Sequence, residues 1–176
     1  MFTNLVARII HKLAAIAPGG FTIRPWLHRL RGVRVGRNVW ISQFVYIDDV
    51  HPAHVTIGDN CTIGLRTSIF SHFYWGPRRP MNEGRVVIDD DVFIGPHCVI
   101  LPNVHIGEGA VIKAGTVVSR NVPARAFWGA PPAEALGVVT IPLTARCSYQ
   151  EFAQGVRLRR CERPPARDSS SSGSLE

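Results

Sequence analysis

The chain has 176 residues, enough for one domain with a sizeable core, and its 45% hydrophobic and 19% charged content is typical of a soluble globular protein. Its formal net charge is +7, and the first acidic residue is Asp48, so the N-terminal part is purely basic. Such a segment suits nucleic acid, anionic lipid or phosphorylated ligands. Aromatic residues do not alternate with the basic ones as they do in RNA-binding proteins, and we expect no nucleic-acid partner.

Residues 1–31 are predicted to be a helical segment, broken by Pro18-Gly19-Gly20 and again near Pro25. An apolar stripe recurs at helical spacing in its first half: Leu5, Ile9, Leu13 and Ile16. This stripe either packs over the open end of the domain that follows or against a neighbour, or it lies on a membrane surface with Arg8 and Lys12 beside it. It is too short to span a bilayer, and no cleavable signal is visible. We therefore expect a cytoplasmic protein that can lie against the inner face of the membrane.

Isoleucine or valine then recurs at every sixth residue in three blocks. These anchors are Val35, Ile41, Ile47, Ile57, Ile63, Ile69, Ile88, Ile94, Ile100, Ile106, Ile112 and Val118. Four residues after most anchors stands a small or β-branched residue: Val39, Val45, Cys61, Thr67, Val92, Cys98, Val104, Ala110, Thr116 and Val122. A helix repeats at 3.6 residues and a flat strand at 2, so a period of six indicates a hexapeptide solenoid.

In such a solenoid each hexapeptide makes a short strand and a turn, and three sides close one triangular coil. The twelve anchors predict an all-β fold of about four coils between residues 33 and 123, with inward anchors stacked from coil to coil. Cys61 and Cys98 fall at inward positions and are interpreted as core thiols. No two of the four cysteines have C-x-x-C spacing, so we expect neither a zinc ribbon nor a redox pair, and no metal.

The repeat lapses at three places. Between Ile47 and Ile57 the register gains four residues, beginning with Asp48 and Asp49. After Ile69 comes a loop, residues 70–87, whose prolines exclude a regular strand. After Val122 the chain leaves the repeat, and residues 136–176 form a C-terminal extension that we expect to be partly disordered. Loops that project from a rigid scaffold are common places for function.

His72 is the strongest catalytic candidate, because it stands at the root of the loop. An imidazole can accept a proton at neutral pH. Tyr74 and Trp75 follow it and could form the wall of a ligand pocket.

Two stretches carry a resemblance to a known family. The first reads IGDNCTIGLRTSIFSHFY, and the second reads VVIDDDVFIGPHCVILPNVHIGEGAVIKAGTVVSRNVPARAFWGAPP. With them, residues 32–135 resemble the hexapeptide-repeat acetyltransferases, above all the galactoside, maltose and nodulation-factor O-acetyltransferases and their polysaccharide-modifying relatives. The resemblance implies a single-stranded left-handed parallel β-helix. It also implies a homotrimer that binds acetyl-CoA in a groove between subunits.

The resemblance also assigns roles to residues. His72 matches the general base, which would take the proton from an acceptor hydroxyl so that the oxygen attacks the thioester directly, without an acyl-enzyme. Asp48 or Asp49 matches a carboxylate that contacts the base or the acceptor. Tyr74 and Trp75 would lie beside the acceptor. The positions that match the cofactor groove are Gly95, Ala114, Gly115, Ser119, Arg120, Trp128 and Gly129.

The sequence departs from the family at Pro132-Ala133-Glu134, where a basic residue is usual, so one phosphate contact is missing from the pattern. The expected acceptor is a sugar hydroxyl on a polysaccharide or its precursor, with xenobiotic or serine acetylation as alternatives. A second alternative is a zinc enzyme of the γ-carbonic anhydrase type, although the spacing of His72, His97 and His105 lacks its close histidine pair. A third is a structural solenoid without activity.

Overall fold

The computed structural model describes residues 2–72, 84–130, 137–141 and 148–158. Two compact units make up the chain, Met1–Pro131 and Pro132–Glu176. In the second unit a two-stranded antiparallel sheet pairs Gly137–Val139 with Val156–Leu158, and the helix Tyr149–Gly155 begins with a capping box between Ser148 and Glu151. The predicted acceptor-side residues Tyr74 and Trp75 lie outside the described residues, as do Cys147 and Cys161.

The first unit begins with two helices, α1 (Phe2–Ile16) and α2 (Ile23–Leu30), both within the predicted helical segment. Short strands follow in order: β1 Arg34–Val35, β2 Trp40–Ile41, β3 Tyr46–Ile47, β4 Val55–Ile57, β5 Thr62–Ile63, β6 Ser68–Ile69, β7 Val86–Ile88, β8 Phe93–Ile94, β9 Val99–Ile100, β10 His105–Ile106, β11 Val111–Ile112, β12 Val117–Val118 and β13 Phe127–Trp128. Nearly all have two or three residues because a corner follows each one.

These strands form three parallel sheets, one for each side of a triangular coil. The sheet orders are β1-β4-β7-β10, β13-β11-β8-β5-β2 and β12-β9-β6-β3. Each anchor pairs with the anchor of the next coil, as Ile94 does with Ile112 and Ile47 with Ile69. The predicted all-β parallel β-helix is confirmed, with four coils and the beginning of a fifth.

The core is the predicted column of anchors. Every anchor is buried except Val35, which is half-buried at the first coil, and the small residues between them are buried as well. Glycines at the corners let the coils approach closely: a Cβ on Gly64 would stand 2.5 Å from the backbone of Gly95 in the next coil. The column therefore fixes both the register and the spacing of the coils.

The lapses of the repeat all lie at corners. The insertion after Ile47 contains a three-residue 3₁₀ turn, Pro52–His54, that leaves the sheets undisturbed. The strand β7 begins at Val86, so Val86 and Val87 belong to the sheet and not to the loop in which we predicted them. The parallel pairing of the sheets therefore continues on both sides of each insertion.

The expectation that the solenoid ends after Val122 is wrong. Val122 bridges Ile106, and β13 pairs in parallel with β11, so the chain continues into a fifth coil. The corner after Val118 is shortened, so that Val122 and not Ala124 meets Ile106. The six-residue period is lost there although the coiling persists.

Arginines from α2 and its C-terminal end close the open edge of the first coil. They are Arg24, Arg29 and Arg31. Each donates to a backbone carbonyl in a different sheet: Ile41 in β2, Val35 in β1 and Ile47 in β3. An edge strand presents unpaired backbone groups, and these guanidinium groups satisfy one carbonyl on every side.

The apolar stripe of α1 does not pack over that end, so the expectation that it covers the first coil is wrong. Ile9, Leu13 and Ile16 are 50%, 49% and 60% exposed, whereas Ala14 on the opposite side of the helix is buried. The physical reason is that the open end presents backbone N–H and C=O groups, such as the amide and the carbonyl of Ile41, which need hydrogen-bond partners and not apolar side chains.

The anchor column should dominate stability. Replacing the fully buried Ile63 with Ala should lower the free energy of unfolding by about 2–5 kcal/mol, because the surrounding coil cannot collapse into the cavity. Urea unfolding followed by circular dichroism measures the loss. The control is Leu65→Ala at an exposed corner of the same coil, which should cost less than about 1 kcal/mol. Equal losses would contradict the stacked core.

Candidate active site

The first two lapses of the repeat meet at one corner of the prism. Asp48 directly follows β3 and His72 lies just after β6, and these two strands are paired through Ile47 and Ile69. The stacking places the Nδ1 atom of His72 at 2.5 Å from the Oδ2 atom of Asp48. The pair is assembled by the register of the coils, although its members are far apart in sequence.

Asp48 is fully buried, and every hydrogen bond recorded for it stabilises the charged form. Its Oδ1 atom accepts from the amides of Val50 and His51, both at 2.9 Å, and its Oδ2 atom accepts from the amide of Ser71 at 2.8 Å and from His72. Burial by itself would raise the pKa of Asp48, but the bonds from His51, Ser71, His72 and Val50 outweigh it, and the pKa is lowered. Asp48 is therefore a carboxylate at neutral pH.

The carboxylate fixes the role of each ring nitrogen of His72. Because Oδ2 of Asp48 can only accept, Nδ1 carries the proton in the neutral ring and Nε2 carries the lone pair. The His72 side chain is 17% exposed, so it lies at the surface of the corner while its partner is inside. This arrangement can take a proton at Nε2 while Asp48 stabilises the imidazolium that forms.

Asp49, the other predicted carboxylate, has a different partner. Its Oδ1 atom accepts from the hydroxyl of Tyr46 at 2.7 Å. The sequence left open which of the two orients His72, and the structure brings Asp48 to it.

Arg31 contacts the Asp48 corner from the other side, a role that sequence analysis did not identify. Its guanidinium donates to the carbonyls of Asp48, at 2.8 Å, and Ile47. Its Nε donates to Nδ1 of His28 at 3.1 Å, and burial, followed by nearby cations, lowers the pKa of that histidine to about 3, so His28 is a neutral acceptor. Burial likewise lowers the pKa of Arg31, to about 10, which leaves it charged at neutral pH.

Two further histidines stand at this corner, both from the 3₁₀ insertion. The ring of His51 lies 6.0 Å from that of His72 in an edge-to-face arrangement and stacks on the ring of His54 at 5.1 Å. The Ser71 hydroxyl donates to the backbone carbonyl of His51 at 3.0 Å and so links the residues after β6 to the insertion after β3. Burial, followed by the charges of His51 and Arg85, lowers the pKa of His54.

A cleft of about 640 Å³ lies at the last coil, lined by Gly115, Thr116, Val117, Ser119, Arg120, Phe127, Trp128, Gly129 and Ala130. Among these are the predicted cofactor residues Gly115, Ser119, Arg120, Trp128 and Gly129. The Arg120 guanidinium stands over the Trp128 ring at 5.3 Å, which fixes a cation at the mouth of the cleft. The structure thus brings a charged and an aromatic side chain together on one surface.

The two remaining predicted groove residues lie beside or behind this cleft. Ala114 is exposed next to Gly115. Gly95 is buried one coil away, where a Cβ would come within 2.6 Å of the backbone nitrogen of Ala114. Its role in the structure is to let these coils approach.

The cleft and the His72 corner share one sheet. The strand β12, which leads to Ser119 and Arg120, pairs with β9, and β9 pairs with β6, which leads to His72. Two steps between neighbouring strands correspond to about 10 Å along the prism. A ligand that extends along this edge could therefore occupy the cleft and reach His72.

Cys61 and Cys98 are buried core thiols, as predicted. Burial raises the pKa of both, to about 11 for Cys61, so neither is a thiolate at neutral pH. They do not have the reactivity of catalytic cysteines.

The histidines of the zinc alternative are dispersed. His105 contacts Asp89 through Nε2 at 2.7 Å, His97 is exposed at another corner, and His72 contacts Asp48. Within the part of the chain that the structure describes, no three His, Cys, Asp or Glu side chains are grouped as metal ligands.

Comparisons with protein families, with relatives and with solved structures all find similarity to transferases with hexapeptide repeats or to acetyltransferases. Residues 85–120 match the model described as bacterial transferase hexapeptide (six repeats), and residues 54–71 match the hexapeptide repeat of succinyl-transferase. YvoF of Bacillus subtilis, which carries an acetyltransferase name, is 39% identical over 112 residues, 62% of this chain and 63% of its own length. The 2,3,4,5-tetrahydropyridine-2,6-dicarboxylate N-acetyltransferase of Staphylococcus aureus is 36% identical over 81 residues, 46% of this chain and 32% of its own length. The match thus spans less than two thirds of either relative.

Among solved structures, the hexapeptide-repeat acetyltransferase VCA0836 of Vibrio cholerae, complexed with acetyl coenzyme A, is similar with a TM-score of 0.54 and 25% identity. The match covers 70% of this chain and 79% of that one. It supports the left-handed parallel β-helix expected from the sequence. In both sequence and fold the chain is therefore similar to hexapeptide-repeat acetyltransferases.

The Asp48 contacts make a prediction about acid stability. The folded pKa of Asp48 lies below its ordinary value of 3.8, so the stability it contributes is present above about pH 5 and is lost as the pH falls through the lowered pKa. Asp48→Asn should therefore cost about 1–3 kcal/mol at neutral pH, and its difference from the wild type should narrow on acidification below about pH 4.

Thermal or urea unfolding over a pH series measures this difference. The matched control is Asp49→Asn, whose amide oxygen can still accept from the Tyr46 hydroxyl, so this change should cost less. A gap between wild type and Asp48→Asn that stays constant down to acid pH would contradict the assignment of a buried carboxylate.

Proposed function

We propose that the protein is an acyltransferase that moves the acetyl group of acetyl-CoA to an acceptor hydroxyl, with His72 as general base and Asp48 as its orienting carboxylate. The observation that carries the proposal is the contact between Nδ1 of His72 and the buried Asp48 at the corner where the loop departs. The similarity to acetyltransferases and to VCA0836, which was solved with acetyl coenzyme A, supports acetyl-CoA as the acyl donor.

In the proposed reaction Nε2 of His72 takes the hydroxyl proton while the acceptor oxygen attacks the thioester carbonyl carbon. The C–S bond of the tetrahedral intermediate then breaks, and the imidazolium returns its proton to the departing sulfur of CoA. Asp48 stabilises the imidazolium between these steps without itself taking a proton. The buried, protonated Cys61 and Cys98 are unsuited to forming an acyl-enzyme, which supports direct transfer.

The cleft at the last coil is the proposed site of the CoA moiety. Arg120 would pair with its phosphates, and Trp128, already beneath that guanidinium, would pack against the flat nucleotide end. From there the pantetheine arm would run along the sheet edge towards His72.

The exposed side of one sheet supports a homotrimer. Phe93, Val111 and Phe127 pair in register on β8, β11 and β13 and form an apolar ladder, 45%, 36% and 75% exposed. A second copy that covered this ladder would also cover the Phe127 side of the cleft, so the cofactor groove would be completed between subunits.

For the acceptor, a sugar hydroxyl is the first proposal, on the strength of the family resemblance of residues 32–135. An amine acceptor is the second, because the Staphylococcus aureus relative is named as an N-acetyltransferase. The two classes differ in the product bond, an ester or an amide, and only the ester is cleaved by hydroxylamine.

Replacing His72 with Ala should reduce acetyl transfer by about 10²- to 10⁴-fold, since the acceptor loses its base. Release of CoA thiol in the presence of hydroxyl and amine acceptor panels is the measurement. Acetyl-CoA binding, followed by calorimetry, should persist in the variant. Full turnover by His72→Ala would refute the base assignment.

Arg120→Ala should weaken CoA binding by about ten- to hundredfold without changing the molecular mass in solution, because it removes only a charged contact. Phe93→Asp, on the ladder but outside the cleft, should lower the mass from trimer to monomer and weaken CoA binding as well. Light scattering and calorimetry give both readouts. A monomeric Phe93→Asp that binds CoA as tightly as the wild type would contradict a shared groove.

A further inference from the structure

The two N-terminal helices leave several large apolar side chains exposed on the sides that face away from the solenoid. On α1 these are Val6, Ile9, Leu13 and Ile16, and on α2 they are Trp26 and Leu30. All six are between 49% and 60% exposed, and we call them the N-terminal apolar face. An exposed apolar surface of this kind marks an interaction site.

The opposite sides of both helices are buried and carry mainly small or polar residues, with Leu27 of α2 as a buried apolar residue among them. Ala14 of α1 is 1% exposed, and Arg24 and His28 of α2 are 4% and 0% exposed. A helix that simply packs on a protein core does the reverse and buries its large apolar stripe. Here the polar side is required for the hydrogen bonds that close the first coil, so the N-terminal apolar face is left for another partner.

The charge around this face favours one kind of partner. No acidic residue occurs before Asp48, and Arg8 and Lys12 are exposed on α1 beside the apolar stripe. Arg34 is exposed on β1, whereas Arg37 is already paired with Asp59. Large apolar side chains flanked only by cations complement a surface with negative headgroups above an apolar interior.

The helices are suited to lying on a bilayer. In the described part of the chain no helix has the length and apolar character needed to cross one. The α1 helix has 15 residues, and its C-terminal end is held on the solenoid, since the amide of Phe44 donates to the carbonyl of Ala15 at 2.7 Å. Both helices rest on the same first coil, so their exposed stripes face away from it.

We propose that the N-terminal apolar face docks the protein on an anionic lipid bilayer, with Leu13, Ile16 and Trp26 in the boundary between headgroups and acyl chains and with Arg8 and Lys12 against the headgroups. This site is separate from the His72 corner and does not depend on the proposed acetyl transfer.

Co-sedimentation of the full chain with vesicles tests the proposal. The protein should bind vesicles of phosphatidylglycerol and phosphatidylcholine in equal parts, bind pure phosphatidylcholine more weakly, and lose affinity between about 0.1 M and about 0.5 M salt. Leu13→Gln with Trp26→Gln should reduce partitioning by about tenfold or more. The matched control, Leu65→Gln with Val138→Gln, removes two exposed apolar side chains elsewhere and should bind as the wild type does.

A charge-reversal pair gives an independent arm that leaves the apolar side chains in place. Arg8→Glu with Lys12→Glu should reduce binding to anionic vesicles by about tenfold or more, whereas Arg125→Glu with Arg157→Glu, the same change in net charge outside the first coil, should not. His72→Ala should bind vesicles normally, which separates this result from any failure of the enzymatic proposal. Circular dichroism verifies that each variant is folded.

Three results would overturn the proposal. One is the absence of sedimentation with anionic vesicles. Another is an equal loss of vesicle binding for both charge-reversal pairs, which would indicate that net charge alone attracts the protein to the vesicles. The third is a fall in molecular mass for Leu13→Gln with Trp26→Gln in a protein that does not bind vesicles, which would assign the face to contacts between copies of the chain.

Discussion

The in-register stacking of coils is the constraint on which the other features depend. Each anchor pairs with the anchor one coil away, and corner glycines such as Gly64 and Gly95 bring neighbouring backbones too close for any slip in register. Extra residues can therefore be accommodated only at corners. Because the insertions after Ile47 and Ile69 occur at the same corner of adjacent coils, Asp48 and His72 are brought into contact by the scaffold itself.

The open end of the stack requires a second solution, and that solution also reaches the candidate site. Parallel coils leave unpaired backbone groups at their first edge, and arginines of α2 and its C-terminal end donate to a carbonyl on each of the three sides. One of them, Arg31, donates to the carbonyl of Asp48 and so ties the end cap to the corner that holds His72. The same polar inner side leaves the apolar side of the helices facing outwards. One geometric requirement thus connects the cap, the orienting carboxylate and the proposed membrane surface.

The sequence predicts the scaffold well because a buried β-branched residue at every sixth position leaves a direct trace in composition. It also locates His72 and the two candidate carboxylates, since all three stand where the six-residue repeat is interrupted. It does not distinguish Asp48 from Asp49, because adjacent residues at a corner can face either way. It misses β13, where Trp128 occupies an anchor position after a shortened corner. It also misses the arginines that bind the edge of the first coil, because Arg24, Arg29 and Arg31 have the pattern of ordinary surface charges.

The central claim is that the buried Asp48 carboxylate prepares His72 as a base by holding the proton on Nδ1. Long-range ¹H–¹⁵N correlation spectra of the histidine side chains, with His72 assigned by its absence in His72→Ala, report the tautomer directly. The account predicts that the neutral ring of His72 carries its proton on Nδ1 and that this preference is lost in Asp48→Asn. A neutral ring protonated on Nε2 in the wild type would contradict it.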